Sequence, residues 1–588
     1  MLRRTVINHA TIFDGSGQKP FQGSVVVKGR HIVEVAQGLI APGPDDVVIN
    51  GNGKWLTPGF LDIHTHYDAE VEFAPGLTES LRHGVTTVFM GSCSLSAAVG
   101  DPVDIADMFA RVEAIPRDIL LNLFQEVKDW STPGEYVEHL NQLPLGPNVA
   151  CFMGHSAIRA EVMGLQRSLT GEKPSAAELL AMNGILEDGL THGFLGLSFN
   201  SLSWDKMDGP RFRSHCLPST YAKFSEYRRL SQTLRKWGRV LQAVPNVSTK
   251  YEIFIYGLMS AGWGRSKLKT TLVALMDLKG DRKIHWIIKR ITELINRLLR
   301  ADFRLQALPE VFDLWADGID LVVFEEFGAG AMALHLEDEQ ERRRLLKDQR
   351  YQRRFRRQWK NPLIPKAFHR NFRFSEVKSC PDQSLVGRSF NDIAADEGSD
   401  PADVFLDLVS RYGKDLRWYT VMANDRPAVL HDNMKFPGAL IGFSDAGAHL
   451  RNMAHYNFPL QALKQVVDAE KAGEAFMPLE QAVWRLTGEL ADWFGVDAGR
   501  IAVGREADLV LIDPEGLNDR VLEFHEEPLP GYPQHRRLVR RNDRAVEAVF
   551  VGGELAVKSG KPLAEVGVDR KFGRFLACRD DGLSRSLC

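Results

Sequence analysis

The chain has 588 residues, of which 44% are hydrophobic and 25% charged, and a formal net charge of −3. That balance is ordinary for a globular chain with a large core and excludes a disordered or fibrous one. A slightly acidic total also leaves no electrostatic footprint for nucleic acid or an anionic membrane, so the expected partner is a small molecule. Six cysteines, at 93, 151, 216, 380, 578 and 588, follow no short repeating spacing. Neither a disulfide framework nor a cysteine-rich zinc module is expected, and a reducing cytoplasm fits. No apolar run approaches the ~18 residues of a membrane span, and the first residues lack the apolar stretch of a signal peptide.

In chain order, residues 5–14 and 23–35 read as short strands broken by glycine turns, including Lys28-Gly29-Arg30. Residues 507–513 and 546–557 repeat that style near the other end and are expected to complete the same sheet. Between them, short apolar strands at 85–90, 149–153, 194–199 and 439–443 alternate with helical stretches such as 175–190. Such alternation points to βα units around a parallel sheet, an α/β fold. Residues 281–383 break the rhythm with helical periodicity and a basic run at 342–360, and read as a mostly helical insertion over the barrel mouth. Glu337, Asp338, Glu339 and Glu341 directly precede that run, so it reads as a solvated helix face rather than a nucleic-acid contact.

The chemistry concentrates where strands end. Residues 56–68, Leu-Thr-Pro-Gly-Phe-Leu-Asp-Ile-His-Thr-His-Tyr-Asp, form an apolar strand running into His64 and His66. A period of two puts both imidazoles on one strand face. At the C-terminal end of a barrel strand that face points into the mouth, where two neutral nitrogens can share one metal ion. Residues 440–449, Leu-Ile-Gly-Phe-Ser-Asp-Ala-Gly-Ala-His, carry a second strand into Asp445. A carboxylate there can touch the metal and take a proton from water, the alternative being a cap on the next helix. Residues 84–93 end in Cys93, able to ligate as thiolate, although a lone cysteine is more often a small buried hydrophobe. His155 follows another apolar strand, and Arg159 can clamp a substrate carboxylate through two hydrogen bonds; a loop histidine and a surface arginine are the plain alternative. Tyr67, His155, Arg159 and His449 are the candidate substrate contacts.

Together these segments, with Gly-Phe-Leu-Gly-Leu-Ser at 193–198 and Gly-Arg-Glu-Ala-Asp-Leu-Val-Leu-Ile-Asp at 504–513, resemble the amidohydrolase superfamily. Within it they resemble the N-acyl-D-amino-acid deacylase, or D-aminoacylase-like, branch, over most of the chain. The resemblance implies a (β/α)8 TIM-like barrel over 58–499 and a small β-sandwich from both chain ends, 1–57 and 500–565, followed by a tail at 566–588. It implies Zn2+, one or two ions, held by His64, His66, Cys93 and Asp445, with Asp445 as the acid/base. The reaction implied is hydrolysis of the C–N bond of an N-acyl amino acid or similar small amide. A cyclic amide or imide on the same centre is the second reading, and a catalytically silent scaffold the third; a homo-oligomer is left open. Such deacylases supply two further histidines from middle strands. Here the corresponding stretches, 240–246 and 272–279, contain none. Asp277 and Lys279 are the candidate replacements, and the metal count stays open.

Overall fold

The computed structural model describes residues 4–246, 251–364 and 366–579. Eight parallel strands form one sheet: β1 (Phe60–Asp62), β2 (Val85–Met90), β3 (Asn148–Gly154), β4 (Gly196–Asn200), β5 (Val240–Val244), β6 (Lys269–Leu275), β7 (Asp302–Ala307) and β8 (Ala439–Ile441). Each pairs with its neighbour in chain order. β1 continues into His64–Thr65 and β8 into Phe443–Ala446, and these extensions pair in parallel. Ile63 N–H donates to the Gly442 carbonyl at 2.7 Å. The sheet therefore curls until its two edges meet.

β2 and β3 are buried at every position, as a strand must be when helices cover one face and the curled interior the other. Helix α1 (Ala176–Thr191) returns the chain from β3 to β4 and opens on a capping box, Ser175 with Glu178. Helix α2 (Ile284–Leu298) does the same between β6 and β7.

Two boundaries differ from expectation. The βα rhythm does not break at residue 281, because α2 and β7 are an ordinary βα unit. Its strand, Asp-Phe-Arg-Leu-Gln-Ala, carries Arg304 and Gln306 among its apolar residues and so lacks a continuous apolar run. The excursion instead occupies residues 312–423. It holds a three-stranded antiparallel sheet (Phe312–Asp317, Ser375–Ser379, Arg417–Ala423) and four helices of eight residues or more. An aromatic core supports it: Trp359 stacks on Phe372 with ring centroids 4.4 Å apart, beside Phe324, Phe355 and Phe405. The basic run forms the helices Glu339–Lys347 and Gln349–Trp359. In the second, Tyr351, Phe355 and Trp359, four residues apart, are buried, while Arg353, Arg354 and Arg357 face solvent.

Strands from both chain ends share one nine-stranded sheet, joined where Trp55–Pro58 pairs antiparallel with Leu509–Ile512. The second boundary is the tail. Val149 N–H donates to the Arg574 carbonyl at 3.0 Å and Leu576 N–H to the Val149 carbonyl at 2.8 Å, so residues 574–576 run hydrogen-bonded beside β3. Residues 580–588 of the expected tail lie outside the described residues. No described helix is long and apolar enough to cross a membrane.

Candidate metal centre

The extension of β1 delivers His64 and His66 with ring centroids 5.5 Å apart. His64 Nε2 lies 3.2 Å from Cys93 Sγ, at the turn after β2, and 3.5 Å from Asp445 Oδ1, on the extension of β8. His66 Nε2 is 3.3 Å from the same carboxylate oxygen. Tetrahedral zinc with bonds of ~2.0–2.3 Å sets its donors about 3.3–3.8 Å apart, so the spacing fits one ion. His64 Nδ1 donates to Gln306 Oε1 on β7 at 2.7 Å. A glutamine oxygen only accepts, so the proton is fixed on Nδ1 and the Nε2 lone pair faces the centre. Among the described residues, His64, His66 and Cys93 are the one His/Cys/Asp/Glu group with ligand atoms all within 4.8 Å of one another. Two imidazoles, a sulfur and a carboxylate are the donor types zinc takes.

Local backbone strain concentrates here. Cys93 (φ 51°), Ser94 (φ 70°), Asp445 (φ 59°) and His449 (φ 47°) all occupy the left-handed region, which persists in non-glycine residues only when the surroundings enforce it. Around Cys93, its N–H donates to Gln242 Oε1 at 3.3 Å and Ser94 N–H to Ser198 Oγ at 3.0 Å; Ser198 Oγ–H donates to the Gly91 carbonyl at 2.5 Å. Beyond Asp445, Gly447 has φ 88°, and a Cβ there would stand 2.3 Å from the His66 carbonyl oxygen. Only glycine lets the Asp445 loop pass this close to His66.

Burial pushes the Asp445 carboxyl up, but the hydrogen bond to His66 and the charges of His66, His64 and His449 outweigh it and hold the group at about 2. His66 is raised for the reciprocal reason, against its own burial. Burial, as the largest cause, brings His64 and His449 down to about 4. It also pushes the Cys93 thiol well up, with Asp445 and Asp205 adding to the shift, so ionising that sulfur calls for a cation beside it. A metal ion is such a cation.

Five of the eight candidate residues, His64, His66, Cys93, Asp445 and His449, line one cavity; the other three turn elsewhere. Tyr67 Oη is 2.6 Å from Ser80 Oγ in the interior. His155 is held between Ser219 Oγ and Glu226 Oε1, both at 3.0 Å. Arg159 pairs with the same Glu226 and donates to the Ser168 and Glu172 carbonyls. A fully buried guanidinium needs a counter-charge, and Glu226 supplies it from 67 residues along the chain, leaving Arg159 no fork for a substrate. Asp277 and Lys279 replace no ligand either. Asp277 accepts from Arg426 at 2.7 and 2.6 Å, and Lys279 Nζ lies 3.0 Å from Asp425. The ends of β5 and β6 put Val244 and Val273 into the cavity wall.

Sequence reasoning missed Asp205, Gln242 and Gln306. Asp205 lines the cavity, accepts from Asn200 Nδ2 at 2.5 Å and has its carboxyl pushed up by burial. No spacing marks it, since it stands in the loop after β4. The two glutamines did leave a trace: each is a single buried amide inside a barrel strand, an expensive placement unless its oxygen has work.

No family model matches the chain. It is 44% identical over 592 residues to an uncharacterized protein of Mycobacterium tuberculosis, covering 99% of this chain and 97% of the relative. It is 32% identical over 197 residues to the N-acyl-D-aspartate deacylase of Alcaligenes xylosoxydans xylosoxydans, 33% of this chain and 36% of the relative. Among solved structures, the N-acyl-D-glutamate deacylase of Bordetella bronchiseptica, complexed with zinc and a phosphonate mimic of the tetrahedral intermediate, is 20% identical. It superposes with a TM-score of 0.62 over 98% of this chain and 99% of that one. A D-aminoacylase, described as having a binuclear centre with one-metal activation and second-metal attenuation, is 21% identical with a TM-score of 0.60, over 97% and 99%. At these identities the structural likeness speaks for the fold.

Proposed function

We propose that this chain, which belongs to the amidohydrolase superfamily in its D-aminoacylase-like branch, hydrolyses the C–N bond of an N-acyl amino acid or similar small amide at a single metal ion. The observation that carries the reading is the convergence of His64 Nε2, His66 Nε2, Cys93 Sγ and Asp445 Oδ1 at the ends of β1, β2 and β8. Zinc is the metal these donors suit, and when bound it supplies Lewis acidity and brings the pKa of water toward ~7. One ion is favoured over two because Val244 and Val273 offer no donor on the facing wall.

The chain's own residues do the rest. Asp445 stays ionised at neutral pH and accepts the proton of the attacking water as its oxygen bonds to the acyl carbon. The same carboxyl then returns that proton to the departing nitrogen as the C–N bond breaks. His449, neutral above pH of about 4, lines the cavity as a hydrogen-bonding group for the substrate. Gln306 fixes the ring of His64, and Gln242 the turn that presents Cys93. In this reading the sheet built from both chain ends is the β-sandwich module, and the protein works in the cytoplasm.

Elemental analysis beside amide-cleavage assays tests the proposal. The unmutated protein should carry about one zinc, the His64→Ala/His66→Ala double variant none, and Asp445→Asn should keep the metal while losing ~10³-fold in kcat. Near-normal turnover by Asp445→Asn, or a protein that neither retains zinc nor gains amidase activity when supplied with it, would overturn the reading.

A further inference from the structure

The cavity that opens on His64, His66 and Asp445 has a volume of about 160 Å³. Thirteen of its twenty lining residues are aliphatic or aromatic, and six of these, Phe312, Leu314, Leu321, Val322, Val323 and Met422, come from the excursion. Among the described residues that line it there is no lysine or arginine; besides the three histidines, its charged groups are the carboxylates of Asp205 and Asp445. In the wider cleft outside, Lys206 Nζ lies 3.2 Å from Cys216 Sγ and Arg536 Nε 3.6 Å from Glu526, and three further cations are held by carboxylates. Arg111 pairs with Glu325 at 3.0 Å, Lys414 with Asp320 at 3.4 Å and Arg451 with Asp317 at 2.9 Å. Arg159, the one carboxylate clamp legible in the sequence, is locked to Glu226 away from the cavity.

A carboxylate entering this cavity would surrender its hydration, meet two other carboxylates and find no fixed cation apart from the metal that the reaction itself occupies. A hydrocarbon would find what it needs: apolar side chains on most sides and a volume close to the ~150 Å³ of an apolar cavity that takes benzene. We propose that the substrate arm seated beside the metal is uncharged and apolar, an aromatic ring or a branched alkyl group of that size, and that the excursion selects it. This rests on the hydrolase reading and narrows it, away from acidic N-acyl amino acids and toward amides with a hydrophobic arm. Val322, partly exposed and shared by the cavity and the outer cleft, is the specificity position most open to test.

Two measurements separate this inference from the reading beneath it. The first compares kcat/KM of the zinc-loaded protein for N-benzoyl and branched N-acyl amides with that for N-acetyl-D-aspartate and N-acetyl-D-glutamate. The apolar amides should be preferred ~100-fold, the scale on which a site rejects a group it leaves unpaired, and Val322→Arg should narrow the gap at least ~10-fold with zinc content unchanged. Equal or better turnover of the acidic substrates would overturn the proposal. The second is calorimetric binding of benzamide and 4-carboxybenzamide to the same protein, which needs no turnover. Benzamide binding, weakened by Val322→Arg, with no amide cleaved would sustain the cavity's assignment and remove the hydrolase reading. Tighter binding of 4-carboxybenzamide would overturn the assignment whatever the catalysis.

Discussion

The two sides of the barrel mouth are built from the same βα units and end in opposite chemistry. On one side the extensions of β1 and β8 and the turn after β2 present His64, His66, Cys93 and Asp445, two of them on left-handed backbone. On the other, β5 and β6 present Val244 and Val273, and the excursion adds a wall of hydrocarbon. The barrel decides that side chains at these strand ends face the mouth. Single positions then decide whether the mouth offers donors or a dry seat. The comparison teaches that donors and hydrocarbon are divided in this molecule, the first held by the barrel and the second largely by residues 312–423, and on the proposed function this separates chemistry from selection.

The largest effect that tests this division is in the excursion. Trp359, 4% exposed and stacked on Phe372, stands in the middle of its aromatic core. Trp359→Ala should cost about 3–5 kcal/mol and loosen the wall that carries Leu314 and Val322, seen as an earlier unfolding transition in denaturant. Zinc content should stay at the unmutated level. If the metal is lost together with the wall, the two sides form one cooperative unit and the division fails.

A smaller effect lies within the donor side. Gln306→Leu removes the acceptor of the His64 Nδ1–H and leaves that donor buried without a partner. Zinc affinity, measured by chelator competition, should fall ~10–100-fold while the fold is retained. Unchanged affinity would mean that the ring is oriented by packing, Phe443 being the candidate at 5.0 Å between centroids.

These same residues mark what the sequence discloses. The His64/His66 pair was legible because a strand's period of two is rigid: two residues apart means one face, whatever follows. Asp445 was legible because small residues around an acid at a strand end have few other uses. Cys93 was not legible on its own chemistry, since burial and ligation want the same residue, and only the resemblance singled it out. Arg159 misled because nothing at 154–159 discloses a Glu226 that packs against it from a distant helix. β7 escaped because its polar Arg304 and Gln306 hide an otherwise buried strand, and with it went the true start of the excursion. Asp205 was beyond reach: its place is set by the loop's path, which no local pattern records.

The smallest effect separates the frame from the mouth by pH. His83, in the turn before β2, is buried and donates from Nε2 to the Arg540 carbonyl at 2.7 Å, tying the barrel to the strand Tyr532–Arg540. Burial, then the charge of Arg82, lowers its pKa to about 3, against ~6.5 in an unfolded chain. The folded state therefore holds His83 neutral, and its contribution is complete above pH ~6.5 and is lost as pH falls toward 3. At pH 5 the loss is about 2 kcal/mol, from one proton bound by the unfolded chain and not by the folded one. His83→Gln keeps a donor for Arg540 without the titration, so its denaturation free energy should fall less steeply between pH 7 and 5 than that of the unmutated protein. Both should be compared as the His64→Ala/His66→Ala variants, so that proton competition for the metal does not add to the slope. Parallel slopes would assign the acid sensitivity of the frame to another group, and His369, also held down to about 3 by burial and lying in the excursion, would be the next to replace.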